Sequence, residues 1–133
     1  MRYLLDTNVC VDYLNGRYPD VVARMQAASP DDLCVSSVVA GELRYGADRS
    51  GRPRKNHESL DLLLAEVRCV AFDEEAARVY GKLRARLEAK GKPIGPYDMQ
   101  IAAHALALGL TLVTADVDEF ARVSGLRTES WRG

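Results

Sequence analysis

Histidine and cysteine are scarce in this sequence. The only histidines are His57 and His104, too few for an imidazole-based metal centre. The three cysteines, Cys10, Cys34 and Cys69, are odd in number and far apart, and none belongs to a C-x-x-C pair. Neither a disulfide framework nor a thiolate zinc site is expected from them, and free thiols suit a reducing cytoplasm. No apolar run is long enough to span a bilayer. The opening MRYLLDTN meets an acid at its sixth residue, so no signal-peptide core is expected there. Positive charge is not in excess either. Eighteen Lys and Arg against 19 Asp and Glu give a formal net charge of −1, so any nucleic-acid binding needs a local basic patch. Glycine-rich phosphate loops of the G-x-x-x-x-G-K-[ST] and G-x-G-x-x-G types are absent. Asp6-Thr7-Asn8 lacks the second acid of a D-x-D phosphatase motif, and no Ser, Cys or Lys stands out as a covalent nucleophile beside a base.

What is present reads as one soluble globular domain over residues 1–133, with 47% apolar and 28% charged residues. No repeat, low-complexity stretch or linker divides it. Short apolar runs at 2–6, 33–37, 68–72 and 111–115 predict strands, with 126–130 as a last edge strand. Between them, helical spacing predicts helices over 8–14, 20–28 and 39–48, and around Leu60, Leu63, Leu64 and Val67. The clearest helix starts at Asp73 as its cap and carries Ala76, Val79, Tyr80, Leu83 and Leu87 on one face. Another runs from about Tyr97 to Leu108 and stops at Gly109. A short one covers 118–123. SGRPRKN, residues 50–56, reads as an exposed basic loop. Strands alternating with helices predict an α/β fold with a mostly parallel sheet of four to five strands and helices on both faces.

Four acids fall where such a sheet binds ligands, outside the carboxyl ends of its strands. Asp6 ends the first strand. Asp116 follows the fourth. Asp98 opens the helix that feeds the fourth, and Glu42 lies early in the helix after the second. Each has a plain alternative. Asp98 and Asp6 could be cap or turn residues, and Glu42 a solvated helix position. Asp116 could cap a short helix, with Asp118 or Glu119 as rival acids. A shared edge is what those alternatives leave unexplained. Two carboxylates about 4 Å apart repel by ~4 kcal/mol at an effective dielectric of ~20, so such a cluster takes up protons or a cation. Oxygen-only ligands favour hard ions, Mg²⁺ or Mn²⁺. That chemistry suits phosphoryl transfer, in which the ion activates water and offsets charge in the transition state.

Four ordered motifs carry a family resemblance. They are L-L-D-T-N at the start, S-x-V-x-x-G-E-L-x-Y-G at 36–46, G-P-Y-D at 95–98 and V-T-A-D-V-D-E-F at 113–120. Together they resemble the PIN-domain toxins of VapBC toxin–antitoxin pairs, from residue 3 to Trp131. KGKPIGPYDMQIAAHA with the final G-L-R-T-E-S-W is more narrowly similar to the VapC toxins that cut initiator tRNA in its anticodon loop. The resemblance implies a three-layer α/β/α PIN fold and a Mg²⁺- or Mn²⁺-dependent endoribonuclease. It implies Asp6 and Asp98 as the main metal ligands, with Glu42 and Asp116 completing a catalytic set of four. It assigns Thr7, Asn8 and Thr114 supporting polar roles. One departure bears on specificity: the initiator-tRNA group tends to carry Asn-Asn after the motif threonine, where this chain has Ala115-Asp116. The alternative function is a non-catalytic RNA- or protein-binding module on the same fold.

RNA also needs cations. Arg49, Arg52, Arg54 and Lys55, near His57, form the candidate phosphate-binding patch. Arg78, Lys82, Arg86 and Lys90 recur every fourth residue as a charged stripe, with Glu74 placed to pair with Arg78. Tyr45 and Tyr97 lie near site acids and either stack on a base or wall the site. Ile101, Ala102, Ala105 and Leu106 read as core, and His104 as a packed histidine. The resemblance further implies a cognate VapB-type antitoxin whose C-terminal segment covers the acidic groove and aims a cation at it. It also implies a homodimer.

Overall fold

The computed structural model describes residues 1–133. The chain starts with β1 (Tyr3–Leu5), then α1 (Thr7–Asn15) and α2 (Pro19–Ala27), and a short 3₁₀ turn leads into β2 (Leu33–Ser36). Next come α3 (Ser37–Arg49), α4 (Pro53–Glu66), β3 (Arg68–Val70), α5 (Glu74–Ala89) and α6 (Pro96–Leu108). The chain closes with β4 (Thr111–Val113), α7 (Val117–Phe120) and β5 (Thr128–Glu129).

All pairings are parallel, in the order β3-β2-β1-β4-β5. The chain therefore walks outward from β1 through β2 to β3, then crosses back to lay β4 on the other side of β1. The strand order reverses between β1 and β4, and a crevice opens at such a point at the carboxyl ends of the strands. The register is fixed there by Leu5 opposite Val113 and by the Asp6 N–H donating to Val113 O at 3.1 Å.

Local chemistry explains the boundaries. β1 and β2 are buried along their whole length, as central strands covered on both faces must be. Asp6 caps α1, and Gly16 ends it at φ 61°, a left-handed conformation that favours glycine. Asp73 Oδ1 accepts the Ala76 N–H at 3.0 Å and starts α5. The core is one cluster of 30 buried residues. Through it runs α6, with Ile101, Ala102, Ala103 and Ala105 buried, in contact with α5, α3 and β4. Its alanines leave no room for larger neighbours.

Three expectations need correction. The basic stretch 50–56 is not all loop: Pro53 begins α4, because proline's fixed φ suits the first helical position and the missing N–H costs nothing there. The strands stop one to three residues short of the apolar runs, since only residues paired across the sheet stay extended. The charged stripe on α5 pairs Arg78 with Glu75 at 2.9 Å rather than with Glu74.

Candidate active site

Asp6 leaves β1 directly into the crevice. Its Oδ1 accepts the Val9 N–H at 2.9 Å, and the residue is only 6% exposed. Burial pushes its carboxyl above the usual range. Thr114, the Val9 amide and the more distant Arg132 partly oppose that shift, while Asp116 adds to it. Thr114, fully buried at the end of β4, accepts the Asp116 N–H at 3.0 Å. Its own hydroxyl proton is then free to face Asp6, so one threonine orients two acids.

Asp98 is the third residue of α6. The helix is capped by Gly95, which has no side chain to offer. Asp98 therefore does not cap its own helix, and that plain alternative to a site role falls away. In G-P-Y-D the glycine takes the cap and the proline the first helical position, so the acid falls one turn into the helix. Its half-buried carboxyl is pushed up to about 7, first by burial, then by Glu119, Asp6 and Asp116. The Glu119 side chain lies within hydrogen-bonding reach of Asp98.

Glu119 is the member of this cluster that sequence reasoning did not select; it stood only as a rival to Asp116. The signal lay in the spacing. Once α7 starts at Val117, with Asp116 at its cap position, Glu119 is one turn beyond Asp116 and turns towards α6.

Glu42, on α3, stands apart: it is not among the charges that act on Asp6 or Asp98. It is half-buried, with its carboxyl raised by burial, and Thr7 favours its ionised form. Even so, neither Glu42 Oε1 nor Thr7 Oγ1 completes a hydrogen bond. Both line a cleft of about 350 Å³ between α1, α3 and α4, with Val11, Leu14, Leu43 and Leu60. Asn8 is exposed on the first turn of α1. Asp6, Asp98 and Asp116 are thus brought together, Glu119 joins them, and Glu42 is linked only through Thr7.

No three acid, histidine or cysteine side chains are drawn tight enough to enclose an ion unaided. The donor set is nevertheless suited to a hard cation. It is all oxygen, the neighbouring acids hold the Asp98 carboxyl well above its usual range, and the buried Glu42 Oε1 has no partner. A cation that keeps several waters, as Mg²⁺ does, needs only one or two of these carboxylates.

The basic patch sits at the end of α3 and the start of α4. Arg49 stacks on Tyr45 at 5.4 Å, Arg54 meets Glu58 at 3.7 Å, and Arg52 and Lys55 are exposed. His104 is buried and packs edge-on to Phe72 at 5.4 Å. Its Nδ1 lacks a partner, and burial lowers its pKa, so it stays neutral in the core.

Comparison with known proteins agrees with this architecture. The PIN domain family model matches residues 3–126. A tRNA(fMet)-specific endonuclease VapC of Shigella flexneri is 37% identical over 131 residues, 98% of each chain. The DNA-bound VapBC structure from Salmonella typhimurium superposes with a TM-score of 0.93 at 35% identity, covering 98% of both chains. VapBC2 of Rickettsia felis, bound to a promoter DNA fragment, gives 0.91 at 36% identity, over 98% of this chain and 99% of that one. An all-parallel PIN fold with acids gathered at its switch point, matched over nearly its whole length, makes this chain a member of the PIN-domain family and, within it, of the VapC ribonucleases.

Proposed function

We propose that this protein is the toxin of a VapBC pair, a Mg²⁺- or Mn²⁺-dependent endoribonuclease that cuts initiator tRNA in its anticodon loop. The observation that carries this reading is the convergence of Asp6, Asp98 and Asp116 from the ends of β1, α6 and β4 on one crevice, where Asp116 raises the carboxyl of Asp6 and both raise that of Asp98. The choice of substrate follows the tRNA(fMet)-specific relative.

Asp6 and Asp98 would hold the metal, with Glu42 and Asp116 as the remaining acids. When bound, such an ion supplies an activated water and neutralises charge developing on the phosphate. The chain's own part is positional. Thr114 aligns Asp6 and Asp116, Val9 occupies one Asp6 oxygen and leaves the other to the crevice, and Thr7 lies between Asp6 and Glu42. With its carboxyl pushed up to about 7, Asp98 gives up its proton when a cation or a protein guanidinium arrives.

The antitoxin reading rests on the cleft beside Glu42. It is continuous with a second cleft of about 550 Å³ through Leu14, Asn15 and Ser59. Leu62, 71% exposed, borders that second cleft. An amphipathic segment laid along α1 and α4 would cover these apolar residues and bring a guanidinium to the unpartnered Glu42 oxygen. Free thiols at Cys10, Cys34 and Cys69 suit action in the cytoplasm, and the whole chain would act as one PIN domain.

The test uses protein stripped of antitoxin, incubated with initiator tRNA and with total tRNA in Mg²⁺, Mn²⁺ or EDTA. A discrete cut that requires metal and disappears in Asp98→Asn is expected. Equal cleavage by folded Asp98→Asn would refute the acid assignment. No cut in tRNA, ribosomal RNA or single-stranded DNA would favour the binding-module reading.

A further inference from the structure

The turn between α5 and α6 is a fixed platform. Gly91 adopts φ 65°, and the Lys92 N–H returns to Leu87 O at 2.9 Å, closing the end of α5. Ile94 is pinned in the core at 6% exposure. Arg122, just beyond α7, donates from Nη1 to Pro93 O at 3.2 Å. Pro93 and Pro96 restrict the remaining backbone. This platform has its shape before any ligand arrives, and it runs straight into Asp98.

Its surface chemistry is one-sided. Lys90, Lys92 and Arg122 are all exposed, and none takes part in an ion pair. Tyr97, the residue before Asp98, is 60% exposed. The patch at Arg49–Lys55 is partly engaged: Arg54 meets an acid and Arg49 lies over Tyr45, while Arg52 and Lys55 are in no ion pair. Glu58 meets Arg54, while Asp48 and Asp61 meet the neighbouring His57 and Arg44 at 2.7 Å each.

Unanswered cations beside a solvent-facing aromatic ring match single-stranded nucleic acid, whose bases stack while its phosphates pair with cations. A duplex fits less well, since its bases are not splayed out to meet a ring. We propose that the Lys90–Tyr97 platform, with Arg122, is the subsite that seats unpaired nucleotides next to the scissile phosphate. Tyr97 stacks on one base, and Lys90, Lys92 and Arg122 contact flanking phosphates. The proposal rests on the ribonuclease reading above and specifies the surface that carries single-stranded RNA to Asp98.

The test compares Lys90→Glu/Lys92→Glu, Tyr97→Ala, Tyr97→Phe and, as a control, Arg54→Glu/Lys55→Glu, each in antitoxin-free full-length protein. The substrate is a labelled anticodon stem-loop of initiator tRNA, with kcat and KM measured across a salt series. The lysine pair should raise KM, leave kcat nearly unchanged and flatten the log–log salt slope by about 1.4, or ~0.7 for each lost phosphate contact. Tyr97→Ala should raise KM by about 5- to 100-fold, and Tyr97→Phe should recover most of that. The control pair should have the smaller effect. If the charge-reversed lysine pair lowers the melting temperature, Lys90→Gln/Lys92→Gln gives the same readout. Parental KM and salt slope in the lysine variants, with RNA still cut, would overturn the platform and leave the ribonuclease standing. A larger loss in the control pair would also overturn it. Failure of the parent to cut any RNA would overturn both readings.

Discussion

Asp98 shows how much one carboxyl can reveal about its site. Its carboxyl, ordinarily at 3.8, is raised to about 7 in the fold, so the folded protein holds a proton that the unfolded chain has already lost. Stability linked to this group is full below the unfolded value and drains away as pH rises through 7. In metal-free protein the melting temperature should therefore fall between about pH 5 and pH 8. Asp98→Asn, which cannot ionise, should remove much of that fall. Mg²⁺ should raise the melting temperature of the parent more at pH 8 than at pH 5, and should do little for the variant. Thermal melts across pH settle this; identical profiles for the two proteins would rule out the charge cluster as the cause. The positions of Asp6, Asp98 and Asp116 were legible because each acid ends or opens an apolar run. Glu119 was not, because its place depends on a tight turn after β4 whose helix start no propensity fixes to the residue. The cap alternative for Asp98 fails for a local reason: glycine and proline ahead of it already occupy the positions that start the helix.

At the scale of elements, α6 joins the core to the chemistry. Its amino end carries Asp98, and its middle is alanine because α5 lies close against it. Ala102 is fully buried. Ala102→Leu adds volume that this packing cannot absorb and should cost about 1–3 kcal/mol of stability. The strain tilts the helix that holds Asp98, so cleavage should fall further than stability alone explains. Denaturant melts and single-turnover rates measured together would reveal this; full activity in the stably folded variant would mean that α6 does not transmit packing to the site. Helix positions were read well, since α5 buries a regular face and α6 is an apolar run closed by proline and glycine. The start of α4 was read poorly, because proline and glycine mark breaks in sequence but also begin helices.

Across the whole molecule, the sheet is bound to its last residues. Arg132 forks onto buried Asp12 at 2.8 and 3.1 Å and lies over Tyr18 at 4.3 Å. Trp131 packs edge-on to Tyr3 at 5.2 Å, and Glu129 reaches Arg24 at 2.8 Å. Losing one partner of a buried pair costs about 3–5 kcal/mol. With the Arg132 side chain 34% exposed and Asp12 at 3%, Arg132→Ala should cost nearer ~2 kcal/mol. Adding Asp12→Leu should restore part of it by removing the stranded charge. Chemical denaturation of the single and double variants measures that coupling, and additive losses would mean that the pair is not a unit. This latch was illegible in sequence, because its two charges sit at opposite ends of the chain. The strand order has a related consequence for synthesis. β4, which lays Thr114 and Asp116 beside Asp6, is made after most of the chain. A partly translated toxin therefore has one wall of its cutting site and not the other. A chain released before β4 forms should cut no RNA, and activity should arise only when synthesis is nearly complete.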